Sequence, residues 1–266
     1  MSDSTNYSLA ELCIVACAEA FRGDGEVLAT GIGVIPRIAA SLAMKTFCPD
    51  MMMTDSEAWM LDEPNPLGDR GPDFKQKNAS WMGYSRIFDN VWSGRRHAML
   101  GPTQVDRYGQ SNTSALGGSY DQPKVMMLGA RGFPGNSICH PNSFFVPGHS
   151  SRVFIDAECD FVSSIGYNPN RLPKGHSLDS IDIRRIITDL CVMDFGGADH
   201  QARLVSLHPG IAAETVKENT GFELLIGDNI PQTPAPTQEQ LDIIAEMDPH
   251  NSRAKQLKDN PPGDRS

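Results

Sequence analysis

A strand, a glycine turn, a helix and a second strand follow one another near the start of the chain, and this unit restricts the fold more than any other feature. Residues 26–30 predict a strand, and the turn GIG occupies 31–33. Pro36 suits the first turn of a helix that we expect to continue to residue 47, and residues 51–54 predict a second, buried strand. Such a unit places its strands in parallel, so we predict an α/β fold with an open, mostly parallel sheet flanked by helices.

Capping motifs and apolar periodicity predict the other elements. SLAE at 8–11 and TQEQ at 237–240 have capping-box spacing, which predicts a helix start at each. Residues 61–80 are rich in proline, glycine and charge and predict a long loop. Further helices are expected at 84–92 and 213–218, and further strands at 98–100, 124–128, 143–146, 160–163, 184–188 and 191–195.

Length and composition predict one domain. The 266 residues are 39% hydrophobic and 21% charged, which is ordinary for a globular chain with a well-buried core. We expect a single domain over residues 1–250. Residues 251–266 are polar and contain a Pro-Pro-Gly turn, so we expect a flexible C-terminal tail there.

Charge and cysteine usage exclude several classes of function. A net charge of −10 opposes binding to nucleic acid, and the pair Arg95 and Arg96 is the clearest local basic spot. No apolar run is long enough to cross a membrane, and the polar N-terminus does not resemble a secretory leader. The six cysteines are scattered without a C-x-x-C pair, which favours reduced thiols, no metal site and a cytoplasmic location.

The first strand–helix–strand unit carries the first candidate site residues. The glycines Gly31 and Gly33 allow close approach of a ligand, although a plain tight turn explains them equally well. After the second strand come Asp55, Ser56 and Glu57. The carboxyl ends of parallel strands are where α/β folds bind ligands, so these side chains are placed for chemistry. A solvated acidic turn is the alternative.

Two later turns carry polar side chains of fixed geometry. Gln104 and Asp106 either order their own loop or contact a ligand. Arg131 is able to pair with a carboxylate in a bidentate manner. The turn that follows it, with backbone N–H groups suited to an oxyanion or enolate, contains the candidates Gly132, Gly135 and Asn136. Ordinary turn chemistry remains an alternative for both segments.

Taken together, these segments resemble the β subunit of class I CoA transferases, especially the glutaconate type. The matching stretches are GIG at 31–33, CPD at 48–50, QVDRYG at 104–109, NTS at 112–114, GFPGN at 132–136 and ENTGF at 218–222. The resemblance implies an open α/β fold, a separate α subunit with the active site at the interface, and CoA thioesters as substrates. Coenzyme A is then part of the substrate, and no permanently bound cofactor is expected.

The position of the family's nucleophile departs from the transferase pattern. Transferases of this family use a glutamate of this subunit, which forms a glutamyl-CoA thioester. Counted without gaps from Pro49 and Asp50, that position falls on Ser56, and Glu57 comes one residue later. A shift by one residue turns a strand side chain to the opposite face unless a bulge compensates.

Other segments resemble the β subunit of the steroid ring-cleaving hydrolase. They are WSGRRH at 92–97, QVDRYG at 104–109, RGFPGN at 131–136, DFGGADH at 194–200 and SLHPG at 206–210. This resemblance implies retro-Claisen-like hydrolysis of a cyclic β-keto acyl-CoA in sterol catabolism, without a covalent enzyme–CoA intermediate. The catalytic base is then a glutamate of the α subunit, and an α2β2 heterotetramer is expected.

Two other functions stay open. One is a true CoA transferase whose nucleophile is Glu57. The other is a ligand sensor without activity, since this fold also serves regulators, although no basic helix-turn-helix segment is visible. The chain is expected to act with its α subunit and an acyl-CoA, and with neither nucleic acid nor a membrane.

Overall fold

The computed structural model describes residues 6–54, 58–93, 95–119 and 121–259. The predicted catalytic candidates Ser56 and Glu57 lie outside the described residues, as does Asp55.

Six α-helices lie in the described part of the chain. Both predicted capping boxes are present, at Ser8 for the first helix and at Thr237 for the last, so each helix starts where its own side chains bond the free N–H groups. The helices are α1 (Leu9–Glu19), α2 (Val34–Lys45), α3 (Tyr84–Ser93), α4 (Phe133–Cys139), α5 (Ala213–Glu218) and α6 (Gln238–Met247).

Thirteen strands accompany them, of which nine form one sheet and four form two hairpins. The strands are β1 (Leu28–Gly31), β2 (Met52–Thr54), β3 (Trp59–Leu61), β4 (Asn78–Trp81), β5 (Arg96–Leu100), β6 (Gln104–Val105), β7 (Ser111–Asn112), β8 (Ala115–Gly118), β9 (Pro123–Met126), β10 (Asn142–Val146), β11 (Ile183–Thr188), β12 (Cys191–Asp194) and β13 (Arg203–Leu207).

The centre of the large sheet is parallel and its edges are antiparallel. The strand order is β13-β12-β11-β10-β5-β1-β2-β3-β4. The strands from β11 to β2 pair in parallel, as the strand–helix–strand unit predicts. The pairs beyond them on both sides are antiparallel. The α/β class with an open sheet is therefore confirmed, with more antiparallel pairing at the edges than expected.

Apolar side chains of the central strands alternate between two core clusters. Phe144 and Ile186 belong to one cluster, and their neighbours Phe145 and Ile187 belong to the other, because successive strand residues face opposite sides. The cluster with Phe145 packs on α1, α2 and α6, and the other includes residues of α4 and α5. That residues 1–250 form one domain stays a prediction, which the sheet shared by both clusters supports.

Two predicted elements differ in the structure. The predicted strand at 160–163 is wrong: its backbone bonds irregularly, with Asp160 N donating to Gln104 Oε1 at 3.0 Å and Ser163 N to Ser111 O at 2.8 Å. The predicted loop 61–80 is shorter, because Asn78 pairs with Leu61 and adds β4 to the edge of the sheet. Pairing between strands that are distant in the chain cannot be predicted from the local sequence.

The C-terminal region is ordered further than predicted. A short 3-10 helix spans Ser252–Lys255. Arg253 pairs with Glu11 at 2.9 Å and with Asp248 at 3.1 Å, and Leu257 is buried in the core. Residues 251–259 therefore pack against the remainder of the chain, and the boundary expected at residue 250 is too early.

Candidate active site

A cavity of about 530 Å³ lies beside the carboxyl ends of β1 and β5. Ile32 follows β1 and Leu100 ends β5, and both line it. Helix α3 contributes Phe88 and Val91, and α4 contributes Phe133. The position is the one at which α/β sheets bind ligands, and the size is that of a small-molecule site. Its apolar wall suits a hydrocarbon skeleton.

The turn before α4 supplies the most exposed charge of the cavity wall. Arg131 lines the cavity with φ of 50°, in the left-handed region that few non-glycine residues adopt. Its side chain is exposed, and within the described ranges it makes no hydrogen bond or ion pair. The guanidinium is therefore available to an anionic group. That it binds a carboxylate or carbonyl group of the substrate stays a prediction.

The two predicted glycines of this turn allow α3 and α4 to pack closely. A Cβ on Gly132 would lie 3.0 Å from Val91, and one on Gly135 would lie 2.0 Å from the Trp92 ring. Gly132 lines the cavity, whereas Gly135 does not. Both glycines therefore shape the cavity through packing.

Asn136 lines the cavity with an unsatisfied acceptor. The side chain is 1% exposed, and its Nδ2 donates to Asn142 Oδ1 at 2.7 Å. Its Oδ1 has no hydrogen-bond partner among the described residues. Buried polar atoms are nearly always bonded, so this oxygen is an exception in the described part of the chain. It is buried together with the rest of the side chain, which therefore belongs to the inner part of the wall.

Arg96 is a second cationic residue in the wall, which the sequence indicated only as part of a basic spot. It begins β5, is partly buried, and its Nε donates to Thr30 Oγ1 at 3.0 Å. Burial lowers the pKa of the Arg96 guanidinium, which nevertheless stays protonated at neutral pH.

The predicted pair Gly31 and Gly33 sets the position of Ile32. A Cβ on Gly31 would lie 2.5 Å from the carbonyl oxygen of Pro36, so glycine lets α2 approach β1. Gly33 has φ of 110°, where glycine is strongly favoured. Ile32 N donates to Met99 O at 2.9 Å, and the Ile32 side chain lines the cavity. The glycines themselves do not line it.

Gln104 and Asp106, also predicted to contact substrate, lie outside the cavity wall. Gln104 Oε1 accepts from Asn112 Nδ2 at 2.8 Å, and Asp106 accepts from the N–H groups of Tyr108 and Gln110 at 3.0 and 3.1 Å. Burial raises the pKa of the Asp106 carboxyl. These bonds order the loop around the β6–β7 hairpin.

That hairpin links the ordered loop to the cavity. Thr103 N donates to Asn112 O at 2.8 Å, and Thr103 and Thr113 both line the cavity. Of the two interpretations that the sequence left open for Gln104 and Asp106, the ordering of their own loop is the one their contacts support.

The predicted nucleophile segment follows β2 directly. This strand ends at Thr54, whose carbonyl oxygen accepts from Arg37 Nη1 at 3.1 Å. Asp55, Ser56 and Glu57 come next in the chain and lie outside the described residues. The choice between Ser56 and Glu57 as the nucleophile position therefore rests on the sequence alone.

A serine, a histidine and an aspartate do meet in the structure, but away from the cavity. Asp24 Oδ2 lies 2.6 Å from His97 Nδ1, and His97 Nε2 lies 2.9 Å from Ser143 Oγ. The His97 and Asp24 side chains are 0% and 3% exposed, Ser143 is fully buried, and Asp24 also pairs with Arg184 at 2.7 Å. Substrate cannot reach this buried group, so it is not a hydrolase triad. Its hydrogen bonds and ion pair instead stabilise the interior of the sheet.

Two other features, a metal site and a membrane span, were also sought in the described ranges. There, no group of three or more His, Cys, Asp or Glu side chains is arranged to hold a metal ion. None of the helices described there has both the length and the apolar character that a bilayer crossing requires.

Comparison with known proteins shows close relatives along nearly the whole chain, although no family model matches it. The cholesterol ring-cleaving hydrolase IpdB subunit of Rhodococcus jostii (strain RHA1) is 40% identical over 254 residues, or 95% of this chain and 97% of the relative. The B-type subunit of the 3-oxoadipate CoA-transferase of Pseudomonas knackmussii is 30% identical over 253 residues, or 93% and 96% of the two chains.

A solved structure agrees with these sequences. The crystal structure of Rhodococcus jostii RHA1 IpdAB matches with a TM-score of 0.85 at 39% identity, covering 94% of this chain and 98% of that one. The resemblance predicted from the segments between residues 31 and 222 is thereby confirmed. The chain belongs to the family of the cholesterol ring-cleaving hydrolase IpdB subunits, within the CoA-transferase superfamily.

Proposed function

We propose that this chain is the β subunit of a heteromeric acyl-CoA hydrolase that opens the last steroid ring of a cyclic β-keto acyl-CoA in sterol catabolism. The observation that carries the proposal is the cavity, which combines apolar walls with the exposed guanidinium of Arg131, a group that has no partner among the described residues. A ring skeleton with several carbonyl groups needs both features. The name of the IpdB relatives supports the same reaction class.

The proposed reaction is a retro-Claisen hydrolysis. A base removes a proton from water as the water oxygen adds to the ring ketone. The bond between that carbonyl carbon and the carbon α to the thioester then breaks, and its electron pair forms the thioester enolate. Protonation of the enolate carbon completes the product, which carries a new carboxylate. No covalent bond to the enzyme is formed, and the base is proposed to be a glutamate of the α subunit.

This chain would stabilise the negative charge and hold the substrate. The amides of Arg131 and Gly132 donate to no acceptor within the described residues, and the Arg131 side chain is free beside them. Positive charge and N–H groups near a developing enolate lower the barrier most when water is excluded. The apolar wall from Ile32 to Phe133 would provide that exclusion once another chain covers its exposed side chains, such as Phe88 and Leu128.

A second candidate is the β subunit of a glutaconate-type CoA transferase. What favours it is Glu57, one residue from the nucleophile position, together with the 30% identity to the B-type subunit of a 3-oxoadipate CoA-transferase. In this reaction the Glu57 carboxylate attacks the thioester carbonyl and expels CoA thiolate, which leaves a mixed anhydride. The thiolate then attacks the Glu57 carbonyl carbon, so that the acyl group departs as its carboxylate and a glutamyl-CoA thioester remains.

We further propose an α2β2 heterotetramer in the cytoplasm, with coenzyme A as part of the substrate and no resident cofactor. The solved IpdAB structure contains a partner for the related chain. In this chain, Trp81, Tyr84 and Phe88 are 61%, 69% and 59% exposed, and Met126 and Leu128 are 68% and 79% exposed. Apolar side chains exposed in such number suit a surface that another chain covers.

Chemical trapping of the assembled enzyme separates the two candidates. The enzyme is incubated with a cyclic β-keto acyl-CoA and borohydride, and peptides that contain Glu57 are analysed by mass spectrometry. We expect ring opening with Glu57 unmodified. A reduced or adducted Glu57, formed together with CoA transfer to an acceptor carboxylate, would establish the transferase instead.

A further inference from the structure

Helix α3 is held to the remainder of the chain by very little buried surface. Among its described side chains from Tyr84 to Trp92, Val91 alone is buried. Its main packing partner is α4, and Tyr84, Phe88 and Trp92 form an exposed stripe in which successive members are four residues apart. An element with so few buried side chains has low local stability, as mobile elements over ligand sites commonly do.

The contact between α3 and α4 is made by glycine on the α4 side. Val91 lies against Gly132, and the Trp92 ring lies over Gly135, so that side chains of α3 occupy the space that a Cβ would need. Side-chain ridges that interlock fix two helices in one position, and glycine provides no ridge. The contact therefore allows α3 to shift along α4 without separating interdigitated side chains.

Unpaired polar atoms also mark this contact. The buried side-chain atoms that lack a hydrogen-bond partner among the described residues are Oδ1 of Asn90 in α3, Oδ1 of Asn136 in α4 and Nε2 of His140, which caps α4. The His140 ring is hydrogen-bonded to the backbone of Asn90 and Val91. Because unpaired buried polar atoms destabilise the arrangement that contains them, the observed position of α3 has only a small advantage over a shifted one.

The side of α3 that faces the cavity forms part of its mouth. Ile32, Phe88 and Leu128 line the cavity and are nevertheless 54%, 59% and 79% exposed. Apolar side chains at an open rim gain stability when they contact an apolar ligand and leave water. A shift of α3 toward the cavity would bring Phe88 from the rim onto such a ligand.

We propose that α3 is a lid, which slides along α4 when an acyl group enters the cavity and places Phe88 over that group. The position of α3 in the structure is the open one. In the heteromer α3 lies between the cavity and the chain that covers the rim, so it slides and does not swing outward. Closure buries apolar surface only when the acyl group is present, so CoA alone leaves the lid open. This inference rests on the proposed function, because it assumes that the cavity holds the acyl part of an acyl-CoA.

A disulfide between α3 and α4 tests the lid by fixing its open position. A Cβ on Gly132 would lie 3.7 Å from the Val91 Cβ, a separation that suits a disulfide, and Gly132 has φ of −83°, which cysteine adopts. Val91→Cys and Gly132→Cys are combined in a Cys139→Ser background, since Cys139 is the exposed native cysteine among the described residues. Oxidised glutathione closes the disulfide, and dithiothreitol opens it again.

The closed disulfide should lower kcat/KM of the assembled enzyme for a cyclic β-keto acyl-CoA by about tenfold or more, and dithiothreitol should restore it. The enzyme with Cys139→Ser alone, treated in the same way, is the control for oxidation of other thiols and should not change. Equal kcat/KM of the oxidised and reduced forms, with the disulfide verified by mass spectrometry, would overturn the lid.

A 19F resonance at Trp92 provides a second test, which decides the question even if the disulfide variant fails to assemble. The chain is labelled with 5-fluorotryptophan before assembly, and Trp92→Phe assigns the resonance. Trp92 does not line the cavity, so a change in its resonance reports movement of α3. Octanoyl-CoA should shift this resonance and CoA alone should not.

The outcomes separate the lid from the proposed function. An unchanged Trp92 resonance, although calorimetry shows that octanoyl-CoA is bound, would overturn the lid and leave the proposed function standing. The same shift with CoA alone would overturn closure over the acyl group. If calorimetry showed no binding of octanoyl-CoA to the assembled enzyme, the acyl-CoA cavity would be wrong, and the proposed function with it.

Discussion

Arg131 and Asn136 are two of the polar residues on a mainly apolar cavity wall. Arg131 occupies the left-handed region at a cost of about 1 kcal/mol. The turn holds it there, with Phe133 N donating to Ala130 O at 2.9 Å. Strained residues of this kind persist where the surrounding structure fixes them, and they are common in binding sites. The exposed Arg131 charge is therefore placed where one oxygen anion of a ligand could pair with it.

Arg131→Ala should reduce kcat/KM of the assembled enzyme by about 100-fold, the effect of losing a hydrogen bond to a charged group. The heteromer should still assemble, because the side chain is exposed and has no described partner. Steady-state kinetics with a cyclic β-keto acyl-CoA measure the effect, and Arg152→Ala serves as control. Unchanged kinetics would mean that the substrate lies elsewhere.

For single residues, the sequence predicts which turn borders the candidate site better than it predicts which side chains line the cavity. Arg131 and Asn136 are found on the cavity wall because their turn joins a strand to a helix there. Gln104 and Asp106 have equally suitable side chains but bond their own loop, which depends on partners up to 56 residues away in the chain. The sequence did not single out Arg96, because the side chains that surround its guanidinium are determined by the folded neighbourhood.

Among the elements, the pair α3 and α4 determines the shape of the cavity. The Trp92 ring of α3 covers Gly135 of α4 without room for a methyl group. Val91 and Phe133, from the same two helices, both line the cavity. A change in the distance between α3 and α4 would therefore move side chains that line the cavity.

Gly135→Ala should force the Trp92 ring aside and cost about 1–3 kcal/mol of stability. We expect a lower Tm and a raised KM with a smaller change in kcat, because packing and binding change but the base does not. Gly148→Ala is the matched control, since a Cβ at Gly148 meets no atom within 4 Å. If the two variants had the same Tm and KM, the distance between α3 and α4 would tolerate an added methyl group, which would contradict this prediction.

The elements that the sequence predicts well are those with local signals. The capping boxes at Ser8 and Thr237 and the glycine turn at 31–33 each specify a start or a bend from neighbouring residues. The edge strand β4 and the helix α4 were not predicted, because β4 is defined by pairing with β3 and α4 has only 7 residues. Tertiary contacts, which local patterns do not contain, define both.

For the whole molecule, a buried histidine makes stability depend on pH. His149 lies between Thr188 Oγ1 at 3.1 Å and Thr220 Oγ1 at 2.9 Å, and so connects β11 with the end of α5. Burial lowers the pKa of His149 from 6.5 to about 4. The folded chain therefore keeps this imidazole neutral at pH values at which the unfolded chain protonates it.

Unfolding consequently takes up a proton at His149 between pH 6.5 and about 4. The free energy of unfolding should fall as pH falls through this window, by up to about 3 kcal/mol from this group. His149→Gln should be less stable at pH 7.5 but should show a flatter dependence of Tm on pH across the window. A parallel dependence in the variant would show that other groups control acid stability.

The central claim is that the assembled enzyme breaks a carbon–carbon bond with water and does not transfer CoA. Ring opening of a cyclic β-keto acyl-CoA in H2(18O), followed by mass spectrometry, tests it most directly. We expect a ring-opened CoA thioester with a single 18O in the new carboxylate, and no product from this chain without its α subunit. An intact ring, with CoA moved to an acceptor carboxylate, would contradict it.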